Sequence, residues 1–200
     1  MLIGKPNLVV GKIVLNKSKN KTIVFIHGFY ANAGYWFPYL PFFKDYKIIL
    51  LNLDYYFLLN SNDKISKVTE TIELLNLENE TYAIIGHSLG TIISNFINYY
   101  SIKFHFDICP VSHASRLDTN GFVNDILSRI SESEENIKRN LNLVDVFINE
   151  SKDFMLKKSL LFIPDADQYF NYNSTANAEF TFKGDHFNIT NAISQIVKFL

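Results

Sequence analysis

Residues 82–93 read YAIIGHSLGTII, in which a Gly-x-Ser-x-Gly motif separates two apolar runs. The first run has the length of a buried strand, and the second begins a pattern of apolar residues at helical spacing. A tight turn from a strand into a helix needs glycine two residues on either side of the serine, here Gly86 and Gly90. The motif therefore predicts that Ser88 is a nucleophile that projects from a strand end at a helix N-terminus. The competing interpretation is a purely structural turn.

Short apolar runs alternate with longer helical segments on both sides of this motif. The predicted strands are residues 8–15, 22–26, 46–53, 82–85, 104–110, 159–163 and 178–182. The predicted helices are residues 33–43, 64–77, 89–100, 119–130, 132–150 and 188–200. Three of the strands (TIVFI, KIILLNL and YAII) are apolar throughout, which is typical of strands that are covered on both faces. The alternation predicts an α/β fold with a mostly parallel central sheet flanked by helices.

Composition predicts one globular domain over residues 1–200, since 48% of the chain is apolar. Nineteen basic and 20 acidic residues leave a net charge of −1, which argues against a nucleic-acid-binding protein. No apolar run reaches the roughly 18 residues of a membrane span, and the first residues lack the apolar core of a signal peptide. The single cysteine, Cys109, cannot form an internal disulfide. We therefore expect a cytoplasmic protein without an integral membrane segment.

The segment 112–158 differs from the rest of the chain because it contains clustered charge (SESEENIKR) and no predicted strand. It predicts two or three amphipathic helices. These helices are either ordinary crossover helices with solvated outer faces or a small helical cap beside an active site. The sequence does not separate the two interpretations.

A serine nucleophile needs two N–H donors for the negative oxygen of its reaction intermediate. One donor is the N–H of the residue after the nucleophile, here Leu89, and the other comes from the loop after an earlier strand. The run TIVFIHGF ends a predicted strand in His27-Gly28, where glycine allows a sharp turn. The Phe29 N–H is the predicted second donor, and His27 itself is expected to brace the loop.

The nucleophile also needs a base, and the chain has five histidines. His186 lies in the run KGDHF between the last predicted strand and the C-terminal helix. Loops at the carboxyl ends of parallel strands converge on one crevice, so His186 is expected near Ser88. His87 is expected to point elsewhere, and His105 lies at the opposite end of its strand. His113 is a weaker alternative.

The acid that orients this base is expected after the strand 159–163, which runs into PDADQ. Asp167 is preferred because the loop needs a few residues to swing back towards the imidazole, and Asp165 remains the alternative. The predicted role is to hold the tautomer of His186 and to stabilise the imidazolium. Asp185 is expected to cap the following helix or to face solvent.

Four motifs in this order (HGF, GHSLG, D-x-D and GDH) resemble those of the α/β-hydrolase superfamily, along essentially the whole chain. The resemblance implies an eight-stranded or slightly reduced sheet. It also implies Ser-His-Asp catalysis on ester-like substrates with neither a metal nor an organic cofactor. Two features depart from the pattern. The run LDYYFLLNSN lacks the Asp-x-x-Gly-x-Gly loop of many capped members, and the short chain implies a trimmed first hairpin and cap.

The predicted function is hydrolysis of carboxylic esters of small to medium acyl groups. Aromatic residues near the motifs, namely Tyr30, Trp36, Tyr169 and Phe187, are expected to form an apolar substrate pocket, although Trp36 is also a candidate core residue. The alternative is an acyl-thioesterase or carrier-protein-linked esterase, which would dock an acyl carrier protein through the charged segment 128–138 or another face. The third possibility is a catalytically idle binding module.

Overall fold

The computed structural model describes residues 7–77, 81–97, 101–111, 115–152, 159–172 and 180–200. In this part of the chain the strands are β1 (Val9–Leu15), β2 (Thr22–Ile26), β3 (Lys47–Leu53), β4 (Thr81–His87), β5 (Phe104–Ile108), β6 (Ser115–Leu117), β7 (Leu160–Pro164), β8 (Phe170–Tyr172) and β9 (Phe180–Phe182). Seven of these strands form one sheet, in the order β1-β3-β2-β4-β5-β7-β9. β1 is antiparallel to β3, and the other neighbouring strands of this sheet run parallel. The predicted mostly parallel sheet is confirmed.

Helices flank the sheet. They are α1 (Tyr55–Leu59), α2 (Lys64–Leu75), α3 (Gly90–Asn95), α4 (Thr119–Arg129), α5 (Glu134–Glu150) and α6 (Thr190–Ile196). Within the described ranges, none of them is both long and apolar enough to cross a membrane. The segment Ala33–Phe43, predicted as a helix, is a 3₁₀ helix. Pro38 and Pro41 lie inside it and lack the N–H groups that a regular α-helix would need.

The two faces of the sheet are covered by separate parts of the hydrophobic core. β2 is buried at every residue, and its side chains alternate between the two faces. Val24 and Ile26 join the cluster beneath α2 and α3, whereas Ile23 and Phe25 join the cluster beneath the 3₁₀ helix and α6. This burial on both faces explains why the strand sequences are apolar throughout.

The strand order places the carboxyl ends of β2 and β4 next to each other. From β2 the chain continues to one side through β3, and from β4 it continues to the other side through β5, β7 and β9. A crevice forms where a parallel sheet reverses its winding in this way, and ligands bind in such crevices. The loop after β2 and the turn after β4 meet at this point.

A second, smaller sheet was not expected from the sequence. β6 pairs with β8 in antiparallel register, which ties the start of the segment that contains α4 and α5 to the loop after β7. Each of these strands has three residues, which is too short for an alternating pattern to stand out. α4 and α5 pack against each other through a small apolar cluster of their own, formed by Val123, Ile126, Ile137 and Leu141.

Candidate active site

Ser88 lies on the tight turn between β4 and α3. Its φ angle is 51°, a left-handed conformation that side chains other than glycine rarely adopt. The Ser88 N–H donates to the Ile108 carbonyl at 3.0 Å, and the Thr91 hydroxyl donates to the Ser88 carbonyl at 2.7 Å. These bonds from neighbouring elements hold a strained backbone, which is a feature typical of functional sites.

Glycine at position 90 lets α3 begin directly against the end of β2. A Cβ atom there would lie 2.6 Å from the carbonyl oxygens of both Ile26 and His27. These are backbone atoms, so they cannot move aside as the end of a flexible side chain can. On the facing loop, a Cβ atom at Gly28 would lie 2.8 Å from the Cβ atom of Ser88. The turn that presents Ser88 therefore depends on glycine on both sides of the crevice.

We expect Gly90→Ala to destabilise the protein by about 1–3 kcal/mol, because the new methyl group overlaps two backbone oxygens. In an ordinary helix the same change is stabilising by about 1 kcal/mol, so the sign of the effect is diagnostic. The measurement is the free energy of unfolding by chemical denaturation. Gly11→Ala is the control, because the nearest atom to a Cβ there is 3.7 Å away. Equal stability changes in the two variants would contradict the contact.

His186 lies in the loop between β9 and α6 and forms a hydrogen bond with Asp167. Its Nδ1 atom is 2.9 Å from Asp167 Oδ2, and the two side chains are 4% and 1% exposed. Because the carboxylate oxygen accepts, Nδ1 carries the proton and the lone pair of the neutral ring is on Nε2. Nε2 makes no hydrogen bond with any residue that the structure describes. It is therefore free to accept a proton from a hydroxyl group.

Asp167 is held in an ionised form by its hydrogen bonds. Its Oδ1 atom accepts from the amides of Tyr169 and Phe170 at 2.8 and 2.9 Å, and the Tyr172 hydroxyl is 3.3 Å from Oδ2. Burial opposes the charge, but the bonds from His186 and from the two amides outweigh it and lower the pKa of Asp167. A buried carboxylate in this state stabilises an imidazolium on its partner.

The structure brings Asp167, and not Asp165, to His186. Asp165 directly follows β7, and its amide still bonds to the end of β9, while its Oδ1 atom accepts from the Gly184 amide at 2.9 Å. It therefore ties together the two loops that carry Asp167 and His186. Asp185 accepts from the amides two and three residues later, both at 2.8 Å. Asp185 therefore closes a turn before α6 and does not cap that helix, whose N-cap residue is Ile189 and has no side-chain cap bond.

The two expected oxyanion donors lie on either side of the crevice. Phe29 follows β2, Leu89 follows Ser88, and both residues line the same cavity as Ser88 and His186. In the described ranges of the chain, neither the Phe29 amide nor the Leu89 amide has a hydrogen-bond acceptor. Two unpaired amides beside a serine can bind a negatively charged oxygen.

His27 stabilises the loop after β2 through two hydrogen bonds, as the sequence predicts. The Leu53 amide donates to its Nε2 atom at 3.0 Å, so its Nδ1 atom donates to the Gly28 carbonyl at 2.8 Å. Burial lowers the pKa of His27 and keeps the ring neutral. The ring thereby joins β3 to the loop that carries Phe29.

A cavity of about 150 Å³ opens above Ser88. Three of the four expected substrate contacts, Tyr30, Tyr169 and Phe187, line it. The other side of the cavity is formed mainly by apolar side chains of α4, of the residue after it and of α5, namely Phe122, Ile126, Ile130, Leu141, Val144 and Ile148. The two helices of the segment 112–158 therefore cover the crevice.

The expectation that Trp36 contacts the substrate is corrected by the structure. Trp36 is fully buried in the core and packs against Phe25, with ring centroids 5.0 Å apart. It is not among the residues that line the cavity. The 3₁₀ helix turns this side chain towards the sheet, a direction that its position shortly after the oxyanion loop did not reveal.

The structure also corrects the expectation that His87 points away from the site. His87 is buried, and its Nε2 atom donates to the backbone carbonyl of His186 at 2.8 Å. His105 is 2.9 Å from the Ser94 hydroxyl and 3.2 Å from Asp107, behind α3. The remaining alternative, His113, lies outside the described residues.

The stability of the protein is expected to depend on the protonation of His87. Burial lowers the pKa of His87 well below its usual range. The imidazole therefore stays neutral in the folded protein at pH values at which it binds a proton in the unfolded chain. Stability therefore falls as the pH drops through the unfolded-state pKa of about 6.5. His87 should account for a loss of roughly 1 kcal/mol in unfolding free energy between pH ~7.5 and ~5.5. His87→Gln should lack this contribution, and an unchanged pH dependence in that variant would contradict it.

One group of possible metal ligands lies at this site. His87, Cys109 and His186 each offer a ligand atom within 4.8 Å of the others. All three are buried, and His87 and His186 also have hydrogen-bond partners in the site. A cation bound there would take the Nε2 lone pair of His186, which is the lone pair that the base needs.

Solved structures with the same architecture include esterases and a thioesterase domain. An esterase from Pyrococcus furiosus has a TM-score of 0.60 at 13% identity, with 94% of this chain and 84% of that chain covered. An esterase from a marine microorganism has a TM-score of 0.59 at 14% identity, with coverage of 97% and 100%. The thioesterase domain from the curacin biosynthetic pathway has a TM-score of 0.58 at 11% identity, with coverage of 94% and 93%.

This chain has the α/β-hydrolase fold. No protein-family model matches the chain, and no curated protein matches it. In the α/β-hydrolase fold the nucleophile lies on a strand-to-helix turn, and an acid and a histidine follow it along the chain in that order. Ser88, Asp167 and His186 lie at these places. The main sheet has seven strands in the described residues, which agrees with the expected slightly reduced form.

Proposed function

We propose that the protein is a serine hydrolase that cleaves carboxylic esters of small to medium acyl groups. The observation that carries the proposal is the hydrogen bond between His186 and Asp167 at a cavity that Ser88 also lines. This is the arrangement of base and orienting acid that activates a serine nucleophile. The unpaired amides of Phe29 and Leu89 add the oxyanion site.

The reaction proceeds in two steps through an acyl-enzyme. His186 Nε2 takes the proton of Ser88 Oγ while the hydroxyl attacks the ester carbonyl, and the amides of Phe29 and Leu89 bind the oxyanion. The imidazolium, stabilised by Asp167, then protonates the leaving alkoxide. Water attacks the acyl-enzyme with the same histidine as base, which releases the carboxylic acid and restores Ser88.

The size and lining of the cavity favour a compact apolar acyl group. An apolar cavity of about 150 Å³ is large enough for one benzene molecule, and this one has about the same volume. Arg129, the basic residue of the lining, is already paired with Asp125 at 2.9 Å. A short aliphatic chain or a single aromatic ring therefore fits better than a sugar or a phosphate.

The test is a panel of p-nitrophenyl esters of increasing acyl length, run beside thioesters of the same acyl groups. We expect kcat/KM to be highest for acyl groups of about benzene size and to fall at least tenfold for long chains, since these exceed the cavity. A uniform preference for thioesters would favour the acyl-thioesterase alternative. Absence of hydrolysis in the whole panel, with intact folding, would contradict the proposal.

A further inference from the structure

The sheet alone does not hold the histidine loop near the nucleophile. His186 follows β9, which pairs with β7, whereas Ser88 follows β4, which pairs with β2 and β5. Two strands, β5 and β7, therefore separate the strand of the serine from the strand of the histidine. The loop has to reach back across both of them, and backbone pairing does not fix how near its imidazole comes to Ser88.

One side chain bridges this gap directly. His87, the last residue of β4, donates a hydrogen bond from Nε2 to the His186 carbonyl at 2.8 Å. We propose that His87 is a positioning residue that sets the distance between the imidazole of His186 and the hydroxyl of Ser88. The inference rests on the proposed function, because it assigns His87 a role in that reaction. Since His87 and Ser88 are consecutive, one strand end places both the nucleophile and the anchor of its base.

The surroundings of His87 keep its ring in one orientation. The ring of Tyr35 stacks on it with centroids 4.6 Å apart, and Trp36 meets it edge-on at 6.3 Å. The His186 carbonyl accepts the bond, so the proton of the neutral His87 ring lies on Nε2. Burial keeps the pKa of His87 low, so the donor stays in this form across the neutral range.

A second observation argues against a space-filling role. The Nδ1 atom of His87 is buried and has no hydrogen-bond partner among the described residues. An unpaired buried acceptor is destabilising, so an apolar side chain of similar size would serve packing better. A locally unfavourable polar residue is expected where function requires it. The hydrogen bond to the His186 carbonyl is the contact that requires it here.

Other contacts to the same loop are weaker or lie elsewhere. The Cys109 sulfur is 3.9 Å from the His186 carbonyl, which is a long contact for a weak thiol donor. The His186 amide donates to Gln168 Oε1 at 3.0 Å, which joins the loop to the acid loop and not to β4. The direct link between the end of β4 and the His186 loop therefore depends on His87.

The test compares two variants of similar length. His87→Gln keeps an N–H donor near the position of Nε2 and also keeps an unpaired acceptor, whereas His87→Met has neither. We expect His87→Met to lower kcat by about 10–100-fold with KM changed by less than about twofold, since a misplaced base slows the chemical step. Its unfolding midpoint should change little, because the variant removes the unpaired Nδ1 acceptor of His87 but leaves the His186 carbonyl without its donor. His87→Gln should recover most of kcat.

Two further readouts separate positioning from folding and from the proposed function. The labelling rate of Ser88 by a fluorophosphonate should fall in parallel with kcat, because labelling also requires His186 to accept the serine proton. The proton NMR signal of the His186 Nδ1–H group should shift or broaden in His87→Met but not in His87→Gln. This signal is measured without a substrate, so it tests the position of His186 even if no ester is cleaved.

The inference is overturned if His87→Met keeps kcat within about twofold, or if the two variants lose activity equally. Loss of activity in proportion to loss of stability would also overturn it. If His87→Met does not fold, His87→Asn replaces it, because the shorter amide stops short of the carbonyl and should lose activity relative to His87→Gln. A parent protein that is neither active nor labelled would refute the proposed function, while the NMR comparison would still decide the role of His87.

Discussion

Replacing Ser88 with alanine is expected to lower kcat for ester hydrolysis by about 10⁶-fold, because the covalent step loses its nucleophile. The substitution removes only one oxygen atom, and the methyl group keeps the Cβ atom that packs against Gly28. The unfolding free energy should therefore change little. Residual activity above the uncatalysed rate would come from binding and from the oxyanion donors alone.

The measurement for Ser88→Ala combines turnover with covalent labelling by a fluorophosphonate. The parent protein should be labelled once, and the variant should not be labelled at all. Ser61→Ala is a suitable control, because the Ser61 hydroxyl donates to the Phe57 carbonyl outside the site. Labelling of another residue in the parent protein would show that Ser88 is not the nucleophile.

Asp167→Asn is expected to lower kcat by about 10⁴-fold. An asparagine at this place turns an acceptor into a partial donor, so His186 no longer needs its proton on Nδ1, and the imidazolium loses its buried counter-charge. Binding of the substrate should change much less than kcat, since the cavity lining is unaltered.

Asp165→Asn is the matched control, because the two residues lie on the same loop. The carbonyl oxygen of asparagine can still accept from the Gly184 amide, which is the contact that Asp165 makes. We expect activity within a few-fold of the parent protein. A larger loss in Asp165→Asn than in Asp167→Asn would move the role of acid to Asp165.

Much of the fold could be predicted because its signals are local. The strand TIVFI has the same bounds in the sequence prediction and in the structure, since a strand that is buried on both faces is a continuous apolar run. The short elements were missed. α1 has five residues, and β6 and β8 have three each, so none of them is long enough for its periodicity to stand out from chance. The segment 33–43 is a 3₁₀ helix because Pro38 and Pro41 lack the N–H groups that a regular helix would need.

Part of the candidate site was also predictable. Ser88 lies on the expected turn because the glycine spacing around it has a single steric explanation. His186 and Asp167 were located by their places after strands whose carboxyl ends meet at one edge of the sheet. The preference for Asp167 over Asp165 depended on how far the loop swings back. In the structure the hydrogen bond between Asp167 and His186 shows that the loop swings back far enough for Asp167 to reach the imidazole.

The amino-acid sequence determined the α/β class, the turn that presents Ser88 and the chain order of the candidate catalytic residues, because these follow from periodicity and backbone sterics over a few residues. The tertiary structure decided which aspartate reaches His186, that Trp36 belongs to the core, that His87 contacts the base, and that α4 and α5 cover the cavity. These features depend on the direction of individual side chains and on loops brought together across several strands. Such long-range packing leaves no local signal in the order of the residues.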